Sequence, residues 1–379
     1  MSAGLHEMLC AFDPDLPLER ARTIPSSWYT HSDIYELECR AVFGNTWQAV
    51  GRADQVAAPG SFFTAEVAGE PVLVLRDGDG VLRAFHNVCR HRAARVMTAE
   101  QGQATRLRCP YHGWTYDLCG QLRGTPEFEG VADFHREDNG LPPLAVAAWG
   151  PLVFVHLAPV SVPLEQFLAP MPERCAGLGM EQLRFVGRRI YDVACNWKVF
   201  VDNYLDGGYH VHSVHPGLAG VLDYSQYRTE VFENVSVQSS PLKPPEAQKD
   251  AGVGKVRSGR AYYWWVFPNL MLNMYAGVMD TNLVLPLGPD RCRVVFDFCF
   301  ADTEGEEARR FIEQSIAVGH QIQLEDMAIS EDVQRGLHSR SYDTGRFSVK
   351  REAGGYHFHQ LLGRRLQAAI SCNRPAASV

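Results

Sequence analysis

Cys89-Arg90-His91 is followed, seventeen residues later, by Cys109-Pro110-Tyr111-His112-Gly113-Trp114. Each stretch pairs one thiol with one imidazole. Two such pairs serve either two metals or one. Zinc fingers keep at least two residues between the ligands of their first pair, whereas one residue separates Cys89 from His91. One Cys and one His per loop suits a cluster in which one iron takes two thiolates and the other takes two imidazoles. Replacing two thiolates by neutral imidazoles raises the reduction potential. The competing readings are a structural zinc and four unrelated polar residues on loops. Cys119, just past the second loop, is expected to be a packed thiol.

Around these loops the texture is β. From 46 to about 157, short apolar runs such as Pro71–Leu75 and Leu152–Leu157 are separated by Gly and Asp turns. Asp77-Gly78-Asp79-Gly80 is a hairpin signal. Upstream, residues 33–43 read as a short amphipathic helix. Downstream the pattern mixes. Trp197–Tyr209 reads as a helix stopped by Gly207-Gly208 and Pro216, residues 261–275 and 281–300 as strands, and 304–336 as a long helix opened by Glu304, Glu306 and Glu307. An all-β segment followed by a mixed one predicts an α+β protein. The expected division is an N-terminal helical segment at 1–45, packing on the later domain, then an antiparallel β domain at 46–157 and a third region at 158–379.

The 379 residues, 46% apolar and 21% charged with a net charge of −8, suit a globular chain and give no basic footprint for nucleic acid. No apolar run approaches the ~18 residues of a membrane span. Met1 to Pro25 has no signal pattern. A cytoplasmic protein is expected, its ten cysteines reduced or metal-bound rather than paired. Eight of these, Cys10, Cys175 and Cys372 among them, read as buried or inert thiols.

The second concentration of chemistry is Asn196-Trp197-Lys198 through His215. On a helix Asp202, Asp206 and His210 recur at four-residue spacing and share a face. Carboxylates lined up behind a histidine look like the outer support of a metal ligand. His215 lies five residues beyond His210, so the chain must loosen between them. Two histidines need one carboxylate to complete a facial triad with positions open for O2. On the long helix, Asp326 sits on a stripe with Ile322, Ile329 and Val333, where a carboxylate is costly unless paired or metal-bound. Its neighbour Glu325 falls off the stripe and reads as solvated.

The first constellation, with Asn87 before it and Arg92 after His91, resembles the Rieske motif of aromatic-ring-hydroxylating, non-haem iron oxygenases. Ala93 stands where that family usually has Gly, for a slight adjustment of the loop. The second also resembles this family: Asn-Trp-Lys, an acidic residue followed by Asn203, then Tyr-His and a further His. Gln323-Leu324-Glu325-Asp326 resembles the segment that supplies its aspartate ligand. The resemblance, over roughly 25–365, implies a Rieske [2Fe-2S] domain held by Cys89, His91, Cys109 and His112. It implies a helix-grip-like catalytic domain whose mononuclear Fe(II) is held by His210, His215 and Asp326. It also implies a homotrimer in which the two centres of neighbouring subunits meet. Many members carry a bridging acid three residues before the first ligand His; here that position is Gly207. The bridging role passes to Asp206, an offset shared with the choline-monooxygenase-like branch, with Asp202 as the fallback. His212 has no ligand counterpart.

No Gly-x-Gly-x-x-Gly opens a helix after a strand, so electrons come from a separate NAD(P)H-dependent reductase, with or without a ferredoxin. The expected reaction is that of a terminal oxygenase that hydroxylates or dealkylates a small organic substrate with O2. The aromatic run Tyr262–Phe267 and the following strand supply the expected pocket, with Trp264, Phe267, Asn273 and Tyr275 as its lining. Such a lining cages a quaternary or alkyl amine by cation–π attraction or stacks on an aromatic ring. The alternatives are a ring dioxygenase forming cis-diols and a non-catalytic Rieske electron carrier; the latter needs only 46–157.

Overall fold

A computed structural model of the chain describes residues 3–244 and 259–371. It has two compact units, Phe43–Phe167 and the remainder on either side of it.

The smaller unit is built on a seven-stranded antiparallel sheet. Its strands are β1 (Gln48–Arg52), β2 (Ser61–Val67), β3 (Glu70–Arg76), β4 (Leu82–His86), β5 (Gln101–Gln103), β9 (Pro143–Trp149) and β10 (Leu152–His156), in the order β1-β10-β9-β4-β3-β2-β5. A second sheet of β6 (Leu107–Arg108), β7 (Thr115–Tyr116) and β8 (Leu122–Gly124) completes it. The predicted hairpin joins β3 to β4. Asp77 Oδ1 accepts from the amides of Asp79 (3.0 Å) and Val81 (2.8 Å). One cysteine–histidine loop follows β4, and the other joins β6 to β7. Leu73, Phe85, Trp114 and Tyr116 pack beneath both.

The larger unit is one antiparallel sheet of β11 (Arg184–Val193), β12 (Arg228–Val231), β13 (Val235–Pro241), β14 (Arg260–Val266), β15 (Leu270–Tyr275), β16 (Val278–Gly288) and β17 (Arg291–Phe300), ordered β11-β17-β16-β15-β14-β13-β12. Helices α1 (Ser32–Ala41), α2 (Trp197–Tyr204), α3 (Gly305–Leu337) and α4 (Ala353–Ser371) belong to the same unit. The fold is α+β with antiparallel sheets. The expected strands 261–275 and 281–300 are each broken into hairpin partners. Among the described residues no helix is long and apolar enough to cross a membrane. Cys372 lies outside the described residues.

The Asn-Trp-Lys triplet ties these helices together. Asn196 caps α2 by accepting from the Lys198 amide, while its own amide donates 2.9 Å to Gln334 Oε1 on α3. Its side-chain Nδ2 donates to the Tyr29 and Pro289 carbonyls. Trp197 Nε1 (2.8 Å) and Lys198 Nζ (2.7 Å) both donate to the Glu38 carboxylate on α1. The Glu38 and Lys198 side chains are fully buried. A buried ion pair is expensive to break, because the survivor is left charged in a medium that cannot solvate it.

Three expectations need correction. Cys119, expected to be packed, is exposed. The helix from Trp197 stops at Tyr204, not Tyr209. Gly207 and Gly208 take φ of +71° and +72°, which a right-handed helix does not allow. Asp202, Asp206 and His210 therefore do not share a face. The buried face of α3 is also not the apolar stripe: Ile329 is 37% and Val333 44% exposed, while Gln323, Ser330, Gln334 and Leu337 are buried. The helix docks in part through the Gln334 hydrogen bond to Asn196 rather than through those two aliphatic side chains.

Lys198→Met is expected to cost about 3–5 kcal/mol in denaturant unfolding, because Glu38 loses its partner. The Glu38→Gln/Lys198→Met double variant, in which glutamine still accepts from Trp197, is expected to recover more than half.

Candidate cluster and metal sites

The two cysteine–histidine loops are built alike. In the first, the Ala93 amide donates to the Cys89 carbonyl (3.0 Å) and the Cys89 amide to the Ala94 carbonyl (2.8 Å). In the second, Gly113 donates to Cys109 (3.1 Å) and Cys109 to Trp114 (2.9 Å). Both turns need a left-handed residue, Gly113 at φ +73° and Ala93 at φ +60°. Ala93 thus occupies a backbone position suited to glycine, and the loop keeps its shape at the cost of strain. Asn87 pins the first loop, accepting from the amides of Val96 and Met97 and donating to the Met97 carbonyl.

The donor set suits a two-metal cluster. Cys89 and Cys109 are buried, His91 is half-buried and His112 exposed, so thiols and imidazoles occupy opposite depths. The Nδ1 atoms of the two histidines lie 3.1 Å apart. His91 stacks on Trp114 with ring centroids 4.8 Å apart, which fixes its plane. Burial, then His112 and Arg92, lower the His91 pKa, which favours the neutral, ligating form. Burial pushes the Cys109 thiol up, opposed by hydrogen bonds from the Tyr111 and His112 amides. The Tyr116 hydroxyl lies 3.3 Å from Cys89 Sγ. Hydrogen bonds to sulfur of this kind tune the potential of a bound cluster. The four residues do not gather around one point as zinc ligands would. Among the described residues the set of three or more that does so is His210, His215 and Asp326, whose ligand atoms lie within 4.8 Å of one another.

That set is assembled from the loop after α2 and the middle of α3. His215 Nε2 lies 3.0 Å, and His210 Nε2 3.9 Å, from Asp326 Oδ1. Each ring is gripped from behind at Nδ1, His210 by Asp206 (2.5 Å) and His215 by Glu325 (2.7 Å). Such carboxylate–histidine pairs fix ring orientation and leave Nε2 for a metal. Asn203 Nδ2 donates to Asp326 Oδ1 at 2.7 Å. Burial lowers the His215 pKa, but the Asp326 and Glu325 carboxylates outweigh it and hold it above its ordinary value. Three carboxylates around two imidazoles favour a positive charge between them, as a divalent metal would supply.

Gly207 explains the offset of the acidic residue. A Cβ at position 207 would stand 2.0 Å from the Arg351 carbonyl oxygen. No side chain fits there, and the carboxylate sits at 206 instead. Asp206 also accepts from the amides of Tyr209 and His210, holding the loop that carries both histidines. Asp202 turns elsewhere, accepting from the Tyr29 hydroxyl (2.6 Å) and His359 Nε2 (2.8 Å). His212 is exposed, edge-on to Tyr224.

A cavity of about 340 Å³ ends on the His210–His215–Asp326 set. Asn273 and Tyr275 line it, as expected from the sequence. Trp264 and Phe267 do not line it; both are buried in the core. Side chains alternate across a strand. Tyr263, the register partner of Asn273, therefore reaches the cavity, while its neighbour Trp264 points away. Tyr204 and Tyr227 complete an aromatic wall, with Tyr227 and Tyr263 stacked 6.5 Å apart and Tyr275 edge-on to Tyr263. Glu325 also differs from its expected place: it is a histidine partner rather than a solvated charge. Its adjacency to Asp326 was the available signal.

These features define a two-centre redox protein, with a cluster domain and a separate mononuclear metal site beside a cavity. Residues 46–135 match the Rieske [2Fe-2S] domain, and 180–368 match the ring hydroxylating alpha subunit (catalytic domain). The chain belongs to the Rieske-type ring-hydroxylating oxygenase alpha subunits, which are oxidoreductases. It is 40% identical to the chloroplastic choline monooxygenase of Arabidopsis thaliana, across 96% of this chain and 88% of that one. It is 30% identical to the carnitine monooxygenase oxygenase subunit of Acinetobacter pittii (strain PHEA-2), across 94% and 95%. A solved quaternary ammonium Rieske monooxygenase superposes with a TM-score of 0.83 at 29% identity, across 94% of this chain and 97% of that one.

Gly207→Ala is expected to lose more than about 3 kcal/mol of stability, since backbone rather than a flexible side chain blocks the new Cβ. Ala93→Gly is expected to gain up to about 1 kcal/mol from relief of the left-handed strain. Thermal unfolding of the two variants checks both signs.

Proposed function

We propose that this oxygenase acts on a quaternary or alkyl ammonium compound, which it hydroxylates or dealkylates beside the nitrogen. The observation that carries the reading is the tyrosine-walled cavity ending on His210, His215 and Asp326. The electron-rich faces of Tyr204, Tyr227, Tyr263 and Tyr275 attract a desolvated cation that cannot donate a hydrogen bond. The choline and carnitine monooxygenases among its relatives support the same substrate class.

In this proposal His210, His215 and Asp326 hold Fe(II), and Cys89, His91, Cys109 and His112 hold the cluster. When bound, the iron supplies one-electron chemistry with O2 that a closed-shell organic molecule lacks, and the cluster supplies the electrons. Asp206 and Glu325 orient the two imidazoles, and Asn203 holds Asp326. The cavity walls fix one C–H bond near the ligand set and keep bulk water away. Asp206 is the proposed bridge to the cluster of a neighbouring copy in a homotrimer; Asp202 is already engaged by Tyr29 and His359. A separate NAD(P)H-dependent reductase, directly or through a ferredoxin, feeds the cluster, and the protein works in the cytoplasm.

Asp326→Ala is expected to lose the mononuclear iron while keeping the visible spectrum of the cluster. His91→Ala is expected to do the reverse. Iron counts and absorption spectra of purified protein check this. Substrate class is tested with choline and its uncharged isostere, 3,3-dimethylbutan-1-ol. Cation–π attraction of ~2 kcal/mol predicts a preference of about 30-fold in kcat/KM for the cation. Tyr263→Phe should preserve that preference and Tyr263→Leu should erode it. Equal turnover of the isostere, or a cis-diol formed from an arene, contradicts the reading.

A further inference from the structure

Hydroxylation consumes protons as well as electrons: R–H + O2 + 2e− + 2H+ gives R–OH + H2O. The reductase supplies the electrons. The larger unit has a second cavity, of about 190 Å³, that none of the three candidate ligands lines. Asn203 lines both cavities, and Asp206 lines the second. The second cavity is also lined by Tyr29, Asp202, Ser330, Glu352 and His359.

Two observations, an unpartnered hydroxyl and the cavity volume, point to ordered water there. Ser330 is 1% exposed and its hydroxyl has no hydrogen-bond partner. A buried polar group left in that state costs about 1–3 kcal/mol, which a cavity water removes. The volume admits about six waters at ~30 Å³ each. Asp202 is held rigidly: His359 Nδ1 accepts from the Ile24 amide (3.2 Å), so its Nε2 carries the proton and donates to Asp202 Oδ1, while Tyr29 donates to Oδ2.

We propose that this second cavity is the proton entry to the metal site, with Glu352 as its donor and with Ser330, Asp202 and His359 ordering the water between them. The Glu352 O–H bond breaks and its proton passes to cavity water, then toward the side of the centre that carries Asn203 and Asp206. The carboxylate regains a proton from solvent at the cavity mouth. Burial raises the Glu352 pKa, and Asp206 and Asp202 raise it further, while the Ser348 amide and His359 offset part of the rise. Glu352 therefore keeps its proton to a higher pH than an ordinary glutamate.

The plainer role of Glu352 is structural. It accepts from the Ser348 amide at the start of α4. Glutamine makes the same hydrogen bond, so Glu352→Gln removes the proton and keeps the cap.

The first test uses the metal-free protein labelled with 13C at the glutamate carboxyl carbons. The Glu352 signal is assigned by its absence from Glu352→Gln. Its titration midpoint is expected above that of an ordinary glutamate; a midpoint at or below the ordinary value overturns the proposal. This titration is independent of which substrate the enzyme accepts, so its failure is separable from failure of the ammonium reading. In the loaded enzyme, kcat should fall as pH rises through the same midpoint. Glu352→Gln should abolish that alkaline limb and at least double the solvent deuterium isotope effect on kcat. It should also divert O2 to peroxide without changing KM for the organic substrate, and Glu352→Asp should restore part of kcat. An unchanged pH profile and isotope effect in Glu352→Gln would leave Glu352 as a helix cap only.

Discussion

Asp206 grips His210 at Nδ1, and Glu325 grips His215 in the same way. Much of the larger unit serves to keep these two grips in register. Asp326 stands one residue from Glu325, so a single helical turn of α3 supplies both a candidate ligand and the support of another ligand. α3 is in turn fixed to α2 through Gln334 and Asn196. The buried Glu38–Lys198 pair fixes α2 to α1. A metal ligand set tolerates little misplacement, and its supporting hydrogen bonds decide whether the ligands converge. The hydrogen bonds of Asn-Trp-Lys therefore matter far from the candidate ligands they help to place.

The loop between α2 and His210 is governed by a backbone constraint. Gly207 passes so close to the Arg351 carbonyl that no Cβ fits, and its left-handed conformation ends the helix. The carboxylate that partners His210 is displaced by one position in consequence. The cluster loops obey a related rule with a different answer. Gly113 and Ala93 fill equivalent left-handed positions, which glycine adopts freely and alanine only with strain.

Much of this was legible in the residues. The two cysteine–histidine loops were readable because their spacing is local and each loop closes on its own cysteine. The convergence of His210, His215 and Asp326 was readable because few residue types bind metals and a facial triad needs one carboxylate. What escaped depended on tertiary register. The role of Glu325 follows from how α3 rolls against the sheet, which its aliphatic residues misreport because Ile329 and Val333 line an open cavity. Tyr263 rather than Trp264 faces the candidate substrate cavity because the β14–β15 hairpin pairs residue 263 with residue 273. The end of α2 depended on two left-handed glycines, one packed against the Arg351 carbonyl and the other against the Tyr227 ring.

In the proposed function, His210, His215 and Asp326 share one metal next to a cation-binding cavity. Electron paramagnetic resonance of the reduced, iron-loaded protein under nitric oxide tests this most directly, with quaternary ammonium compounds and arenes added in turn. The expected result is a reduced Rieske signal together with a nitrosyl signal that quaternary ammonium compounds reshape and arenes leave alone. A Rieske signal with no nitrosyl signal would contradict it and leave an electron carrier in its place.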